Sequence, residues 1–440
     1  MRITEVSISK LFGIFDHTIR MALDDRITII HAPNGYGKTT ILRLLNGFFT
    51  GRFTDIESVP FDEFSILLED STAIRVFHLP RREKRKGDGL LVRLEREGIL
   101  LDETHLRTLD PREAEFPLHA IDEFLPFLTR IGESTWRNIE NGEELSFGEI
   151  FNRYEDMLPV RLTRQKTAPW LRELTQSIKI RFIESQRLSR DSRNSRGHRN
   201  SGVEPAVAFY SKQIAREMTR RLAEYAELSQ SLDQTFPMRL VEHLSSGSAT
   251  SMSPEELEER LGALDQKRAR LREAGLLERE DVSFKVPPAL QDLAQQVLPM
   301  YVSDVEKKLG VFANILEKIE LFKAIVSQRF RYKTATIDKE NGFTFESMGQ
   351  TLSPMVLSSG EQHLLVLWSE LIFMVDKGSL VLIDEPEMSL HISWQQDFLR
   401  ELSAITRLSN FDALIATHSP QIINERFDLV SVLEGPEWHR

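Results

Sequence analysis

The chain carries Ala32-Pro33-Asn34-Gly35-Tyr36-Gly37-Lys38-Thr39-Thr40 between the apolar run 27–31 and a helical pattern from Thr39 to Phe48. This stretch matches the phosphate-binding pattern G-x-x-x-x-G-K-[ST] except for Ala32, which stands in the first glycine position and requires an unstrained turn there. Gly35 and Gly37 allow backbone N–H groups to turn toward a phosphate, and the helix start adds partial positive charge. The strand before and the helix after favour this loop over an ordinary glycine-rich turn. The predicted nucleotide-binding residues of this loop are Asn34, Gly35, Tyr36, Gly37, Lys38, Thr39 and Thr40.

Two of these residues have specific expected roles. Lys38 is expected to reach the β- and γ-phosphates, and Thr39 to give its hydroxyl to Mg²⁺. A phosphate loop alone leaves kinases, GTPases and AAA+ machines open, so the second half of the chain decides the class.

Two carboxylates follow an apolar strand pattern at 379–383. Ligands of α/β sheets bind at the carboxyl edge of the strands, where Asp384 and Glu385 stand. We expect Asp384 to hold Mg²⁺ through water and Glu385 to act as the general base for attack on the γ-phosphate. Because a lone Asp-Glu pair is more often a solvated turn, this assignment depends on the motif that precedes it.

That motif is Leu357-Ser358-Ser359-Gly360-Glu361-Gln362, which precedes an amphipathic helical pattern ending at Val375. Serine hydroxyls and backbone N–H groups at a helix start form a second anion site. Two such helix starts in one chain suggest that each nucleotide is held between the loop of one subunit and this motif of its partner.

The motif resembles the Leu-Ser-Gly-Gly-Gln signature of ABC ATPases. The resemblance implies ATP and Mg²⁺ as cofactors, hydrolysis of ATP to ADP and phosphate, and a homodimer or higher even oligomer with ATP sandwiched between subunits. It adds four residues to the predicted ATP contacts, namely Ser358, Ser359, Gly360 and Glu361.

Three weaker features follow the order of this family. The run 386–391 resembles its D-loop, with His391 where transporters usually have aspartate. His418 ends an apolar strand pattern and resembles the switch histidine that contacts the γ-phosphate. Gln186 resembles the Q-loop glutamine that couples metal and water to the helical lobe. The predicted catalytic residues are therefore Glu385, His418 and Gln186, and the predicted metal ligands are Thr39, Gln186 and Asp384.

The fold that the resemblance implies is α/β: an ABC-ATPase head, that is a P-loop NTPase with a mixed sheet and an antiparallel β-subdomain. A helical or short coiled-coil insertion separates its two lobes. The predicted segments are an N-terminal lobe over 1–202, a helical arm over 203–330 and a C-terminal lobe over 331–440.

Local patterns support this order. Apolar runs predict a meander of strands at 64–68, 73–79 and 90–94, and a strand at 177–183. Leucines at helical spacing predict a hairpin whose helices have about 30 residues each, the second starting at Ser253-Pro254-Glu255-Glu256. A long helical stretch is predicted over 288–329 and a mobile loop over 189–202.

Composition limits the remaining possibilities. The chain has no cysteine, which excludes disulfides and thiolate chemistry, and no apolar run long enough for a membrane span. The amino terminus lacks the pattern of a secretory signal, so a cytoplasmic location is expected. The net charge of -11 argues against nonspecific binding of nucleic acid by the whole surface. Two basic segments, 81–86 and 187–199, could contact nucleic acid or an acidic viral trigger, although a solvated turn and a mobile loop explain them at least as well.

The spacing between Gln186 and Ser358 exceeds that of transporter subunits and resembles the SMC, Rad50, RecF and overcoming-lysogenization-defect (OLD) group. The runs Asp384 to His391 and Thr417 to Ile423 are similar to ATPases of bacterial antiphage systems such as Septu, PARIS and the retron-associated subunits. OLD proteins carry a Toprim nuclease after the ATPase, whereas 22 residues follow His418. We therefore expect an ATP-dependent sensor and scaffold that controls a separate nuclease or toxin. A RecF- or Rad50-like ATPase of DNA repair or chromosome maintenance is the alternative, and a transporter motor is a third.

Overall fold

The fold is seen in a computed structural model. It describes residues 1–79, 89–107, 121, 124–125, 127–132, 135–139, 144–146, 150, 168–185, 189–190, 204–245, 252–277, 291–330, 332–388 and 390–435. Gln186 and nearly all of the two basic segments, 81–86 and 187–199, lie outside these residues.

The strands are β1 (Ile3–Leu11), β2 (Phe15–Arg20), β3 (Ile27–His31), β4 (Glu63–Leu68), β5 (Thr72–His78), β6 (Gly89–Arg96), β7 (Ile99–Arg107), β8 (Leu128–Arg130), β9 (Thr135–Asn138), β10 (Glu144–Ser146), β11 (Ile180–Ile183), β12 (Ser189–Arg190), β13 (Glu204–Pro205), β14 (Thr334–Asp338), β15 (Gly342–Ser347), β16 (Gln350–Leu352), β17 (Leu380–Asp384), β18 (Asp412–Thr417) and β19 (Val430–Val432). The helices are α1 (Lys38–Thr50), α2 (Phe53–Glu57), α3 (Pro169–Ser177), α4 (Ala206–Ser245), α5 (Pro254–Glu273), α6 (Gln291–Gly310), α7 (Ala313–Arg329), α8 (Ser359–Ser369), α9 (Ile392–Ser409) and α10 (Pro420–Ile423). A π-helical turn over Glu370–Met374 continues α8.

Two compact units divide the chain. The first contains Met1–Arg187, Asp191–Val203 and Val375–Arg440, and the second contains Leu188–Arg190 and Glu204–Met374. These limits differ from the predicted segments, because the strands β14 to β16 and the helix α8 belong with the helical arm. The difference has a packing cause: α4 contacts β15 and α7 contacts β14, so the small sheet completes the core of the arm.

A five-stranded parallel sheet in the order β11-β17-β18-β3-β19 forms the centre of the first unit. All five residues of β17 are buried, as expected for a central strand covered on both faces. Since β3, β18 and β17 are neighbours and parallel, the loops that follow them meet at one edge of the sheet. Lys38 begins the helix after the β3 loop, and Glu385 and His418 directly follow β17 and β18.

A six-stranded antiparallel sheet in the order β2-β1-β4-β5-β6-β7 is the predicted β-subdomain. The predicted meander strands are confirmed as β4, β5 and β6. One continuous apolar core joins this sheet to α1 and to the parallel sheet. Each fully buried Leu, Ile or Phe in such a core contributes about 1.5–3 kcal/mol to stability. The core therefore fixes α1 firmly beside the phosphate loop that leads into it. The α/β fold class predicted from the sequence, with an antiparallel subdomain and a helical insertion, is confirmed.

The second unit contains the helices α4 to α8, the sheet β14-β15-β16 and the short strand pair β12-β13. The predicted helix start is confirmed, because the Ser253 hydroxyl accepts from the backbone N–H of Glu256. The hairpin lengths were wrong: α4 has 40 residues and α5 has 20. The long helical stretch predicted over 288–329 forms two helices, α6 and α7. Among the helices that the structure describes, none combines the length and apolar character needed to cross a bilayer.

Candidate functional site

The loop between β3 and α1 has the backbone that a phosphate site requires. Gly35 and Gly37 have φ of 90° and 85°, a left-handed conformation that glycine adopts without a steric cost. Ala32 is buried and stays outside that region, so alanine fits the first glycine position without strain. The turn at Ala32 is therefore unstrained, as expected.

Gly37 is constrained by packing as well as by its φ angle. A Cβ added there would lie 2.5 Å from Cδ2 of Leu11, a side chain of the core that is fully buried. Gly35 has an equally unusual φ, but a Cβ would meet nothing within 4 Å. The loop is thus packed against β1 on one side and open on the other, where Asn34 and Gly35 are exposed.

Lys38 is the first residue of α1 and is buried. Its Nζ donates to the carbonyl oxygens of Ala32 and Pro33, at 2.6 and 3.1 Å. Burial lowers the pKa of Lys38, although the carboxylates of Glu385, Glu387 and Asp384 act in the opposite direction. Among the described residues the hydrogen bonds of this buried ammonium go to two carbonyls, so an anion would stabilise it further, and this favours a phosphate beside the loop.

Thr39 and Asp384 are joined by a hydrogen bond across 345 residues of sequence. The Thr39 hydroxyl donates to Asp384 Oδ1 at 2.9 Å, at the end of β17. Burial raises the pKa of Asp384, the bond from Thr39 lowers it, and the charge of Glu385 raises it again, so that the net shift is upward.

The chemistry of this pair fits Mg²⁺. The cation prefers hydroxyl and carboxylate oxygens, and a positive charge would offset the cost of ionising a buried carboxylate. Thr39 and Asp384 are therefore the described residues that would hold it. Gln186, the third predicted ligand, lies outside the described residues.

Glu385 follows β17 and carries unusual backbone geometry. Its φ of 44° is left-handed, which costs an L-residue energy and occurs preferentially at functional sites. Its backbone N–H donates to the Ala416 carbonyl at 2.9 Å, which ties this residue to β18. Glu385 Oε1 lies 3.8 Å from Nδ1 of His418, so the structure brings these two predicted catalytic residues together.

Glu387, for which the sequence predicted no individual role, is only 7% exposed and lies nearer to the histidine than Glu385 does. Its Oε1 is 3.2 Å from His418 Nδ1. The only signal in the sequence was its place in the run after Glu385.

A cavity of about 380 Å³ is lined by Glu385, Glu387, Met388, Gln395, His418, Ser419, Pro420 and Gln421.

Three further residues have local roles. Tyr36 packs its ring against Phe15 at 5.3 Å between centroids, and its carbonyl lies 3.0 Å from His17 Nε2. Thr40 belongs to the first turn of α1. His391 caps α9, because its Nδ1 accepts from the backbone N–H of Ser393. Capping the helix explains why a histidine fits at the position where transporters usually have aspartate.

The signature motif lies in the second unit, at the start of α8. Ser358 caps the helix, and its backbone N–H and hydroxyl both donate to Glu361 Oε2, at 2.9 and 2.8 Å. Lys333 Nζ donates to the other oxygen of Glu361 at 2.7 Å. Burial raises the pKa of Glu361, but the bonds from Lys333 and Ser358 outweigh it and leave the pKa below its usual range. The helix start therefore already carries a carboxylate of the same chain, while the side chains of Ser358 and Ser359 are exposed.

The helix after the signature differs from its predicted form. An amphipathic helix ending at Val375 was expected, but α8 ends at Ser369 and passes into the π-helical turn. Every residue from His363 to Ile372 is buried. Because the helix contacts α4 and α7 within its unit, it is buried on all sides from His363 onward instead of along one stripe.

These observations define the chain as a P-loop protein of the α/β class. In a comparison with known families, residues 33–424 match the family described as "AAA domain, putative AbiEii toxin, Type IV TA system". The match starts inside the phosphate loop and continues past His418, over most of the chain. The chain belongs to this family.

Individual proteins show narrower likenesses. Protein ea59 of Escherichia phage lambda is 44% identical over 69 residues, a segment that makes up 16% of this chain and only 13% of that protein. The SMC head domain from Thermotoga maritima aligns with a TM-score of 0.31 at 12% identity, over 96% of this chain and 91% of that one. An SmcHead bound to the C-winged helix domain of ScpA aligns with the same TM-score and the same coverages at 10% identity. Since both TM-scores are low, the fold described above rests on the strands and helices of this chain itself.

Proposed function

We propose that this protein is a Mg²⁺-dependent ATPase that hydrolyses ATP to ADP and phosphate. The observation that carries the proposal is the contact between Thr39 and Asp384, which joins the phosphate loop to the strand that presents Glu385. A lysine for phosphate, an oxygen pair for Mg²⁺ and a carboxylate at the same sheet edge are the parts that phosphoryl transfer requires. Membership of an AAA family supports the same activity.

Each residue has a defined part in the reaction. Lys38 leaves its two carbonyl partners and neutralises the β- and γ-phosphate oxygens. Bound Mg²⁺ supplies further charge neutralisation, and Thr39 and Asp384 would hold it. Glu385 accepts a proton from the attacking water while the bond between the γ-phosphorus and the leaving oxygen breaks. His418 contacts the γ-phosphate.

We propose further that ATP is bound between two copies of the chain. The phosphate loop of one copy would face Ser358, Ser359, Gly360 and Glu361 of the other. Since Glu361 accepts both donors of Ser358, this hydroxyl and N–H must exchange the carboxylate for the γ-phosphate when a nucleotide is bound. The exposure of Ser358 and the presence of Lys333, which can hold Glu361 aside, support such an exchange.

Complementation between two inactive variants tests the facing arrangement. Lys38→Ala removes the phosphate-binding charge, and Ser358→Arg blocks the signature. A mixed pair has one site in which both lesions coincide and one site that is intact, so mixing should restore ATP hydrolysis to about one site per pair. Each variant alone should be inactive. Failure of every mixture to hydrolyse ATP, although mixed pairs form, would exclude the composite site.

The biological role we propose is antiphage defence, in which the ATPase acts as a cytoplasmic sensor and scaffold that controls a separate nuclease or toxin. The family description names a toxin and a toxin–antitoxin system, and a protein of a phage shares a short segment. A phage protein or nucleic acid would be the trigger. Co-expression with neighbouring genes, followed by pull-down and mass measurement, tests this role. A stable complex with a nuclease or toxin supports it.

The alternative role, in DNA repair or chromosome maintenance like that of RecF and Rad50, makes a different prediction. Such a protein binds duplex DNA in the presence of ATP, and its affinity falls steeply with salt because Lys and Arg displace counterions from the phosphates. Titration of labelled duplex DNA at 50 and 200 mM salt, together with the pull-down, separates the two roles.

A further inference from the structure

Glu387 has the contacts of a residue that orients His418. Its Oε1 accepts from the Thr417 hydroxyl at 2.6 Å and from the His418 backbone N–H at 3.0 Å. The same oxygen lies 3.2 Å from His418 Nδ1. One carboxylate oxygen therefore holds the strand end and the backbone of the histidine by hydrogen bonds, and it lies beside one of the ring nitrogens.

The other carboxylate oxygen of Glu387 lowers the stability of the folded protein. Oε2 is buried and has no hydrogen-bond partner within the part of the chain that the structure describes. A buried carboxylate with an unmet acceptor lowers stability, and such groups call for a functional explanation. A methionine or leucine would avoid that cost but would leave the Thr417 hydroxyl and the His418 backbone N–H without their acceptor, so the contacts of the carboxylate, and not packing, account for the glutamate.

The contact determines which nitrogen of the ring is available for chemistry. With a proton on Nδ1 directed at Glu387, the imidazole presents Nε2 as its other nitrogen. Carboxylates that bind the second nitrogen of a functional histidine fix its tautomer and orientation in the same way.

We propose that Glu387 is a positioning residue that holds the His418 ring with Nδ1 facing its own Oε1, so that Nε2 meets the γ-phosphate. Glu387 itself touches neither nucleotide nor water in this scheme, and it acts through His418. The inference deepens the proposed ATPase function and rests on it.

A double-mutant cycle tests the proposal. Glu387→Gln keeps the size of the side chain and an oxygen that accepts from Thr417, but it removes the charge. Loss of such an outer partner of a histidine typically costs about 10- to 100-fold in rate, and we expect kcat for ATP hydrolysis to fall by this factor. The dissociation constant of ATP should change less than about twofold, since Lys38 and the phosphate loop are untouched. In a His418→Ala background, Glu387→Gln should cause no further loss.

Glu401 provides the matched control. It is a second buried glutamate of the same unit, and it lies on α9. Glu401→Gln should leave kcat at the wild-type value, and equal losses in the two variants would point to a general effect of buried glutamates and refute the proposal.

The outcomes separate this inference from the proposed function. If the wild-type protein does not hydrolyse ATP, the proposed function fails. If the wild-type protein is active, the positioning role is wrong in either of two cases: Glu387→Gln hydrolyses ATP at the wild-type rate, or it lowers the rate by the same factor with and without His418. The second case also covers a loss that comes from misfolding, because such a loss does not depend on the histidine.

Discussion

Gly37→Ala is the substitution whose cost the structure determines most closely. The left-handed φ of 85° costs an L-residue about 1–2 kcal/mol. The new Cβ would lie 2.5 Å from Leu11 Cδ2, and overpacking against a buried side chain costs about 1–3 kcal/mol more. We therefore expect the free energy of unfolding to fall by about 2–5 kcal/mol.

Two other glycines separate the two contributions. Gly35 and Gly51 have φ of 90° and 76°, and a Cβ at either would meet nothing within 4 Å. In their alanine variants the free energy of unfolding should fall only by the conformational contribution, about 1–2 kcal/mol. Gly51 ends α1, far along the helix from the phosphate loop, so Gly51→Ala should bind ATP like the wild type. Gly35→Ala and Gly37→Ala should both bind ATP more weakly, because the loop N–H groups are displaced.

Urea unfolding followed by circular dichroism gives the stability order of the three variants, and calorimetry gives their ATP affinities. Equal unfolding midpoints for Gly37→Ala and Gly51→Ala would show that Leu11 does not crowd this position. Wild-type ATP affinity in Gly35→Ala would show that the loop does not bind phosphate through its backbone.

Lys38→Ala should weaken ATP binding at least about tenfold, because charge-assisted hydrogen bonds to the phosphates are lost, and calorimetry that finds the wild-type affinity would reject Lys38 as a phosphate ligand. Asp384→Asn should abolish the Mg²⁺ dependence of ATP binding, and retained dependence would move the metal site elsewhere. The same variant without ligand should melt a few degrees above the wild type near pH 8. The sign follows from the raised pKa of Asp384 in the folded protein. A carboxyl with a raised folded pKa contributes stability below its unfolded pKa, and this stability is lost as the pH rises through the folded pKa. Ionised Asp384 therefore destabilises the folded protein at neutral pH. The difference in melting temperature should shrink as the pH falls toward 4, and a difference independent of pH would contradict the assignment.

The sequence predicted the parts of the fold that depend on local patterns. The phosphate loop, β17 and β18 were recognisable because each combines a short apolar run with polar residues at its end. The neighbouring positions of β3, β18 and β17 then bring Lys38, Asp384 and His418 to one sheet edge. Motif spacing and the positions of strand ends were therefore enough to predict that these residues lie close together.

Contacts made over long distances in the sequence were not predictable in the same way. The bond from Thr417 to Glu387 spans 30 residues, and the glutamate stands in a loop without periodicity. Lys333 is paired with Glu361 only because the sheet β14-β15-β16 belongs to the same unit as α8. The full burial of α8 likewise depends on the helices around it, whereas its sequence alone predicted an amphipathic helix with one buried face.

Hydrolysis by Glu385→Gln tests the central claim most directly. The amide keeps the size of the side chain but removes the basic oxygen, and loss of a positioned general base typically costs about 10²- to 10⁴-fold in rate. ATP and Mg²⁺ should still bind through Lys38, Thr39 and Asp384, so the variant should accumulate an ATP-bound pair that light scattering detects with ATP and not with ADP.

The decisive measurement is the rate of phosphate release by Glu385→Gln at saturating ATP beside that of the wild type. We expect a loss of at least about 100-fold together with an unchanged ATP affinity. Release at the wild-type rate would show that Glu385 is a structural carboxylate, and the base would then have to be sought at His418 or Gln186.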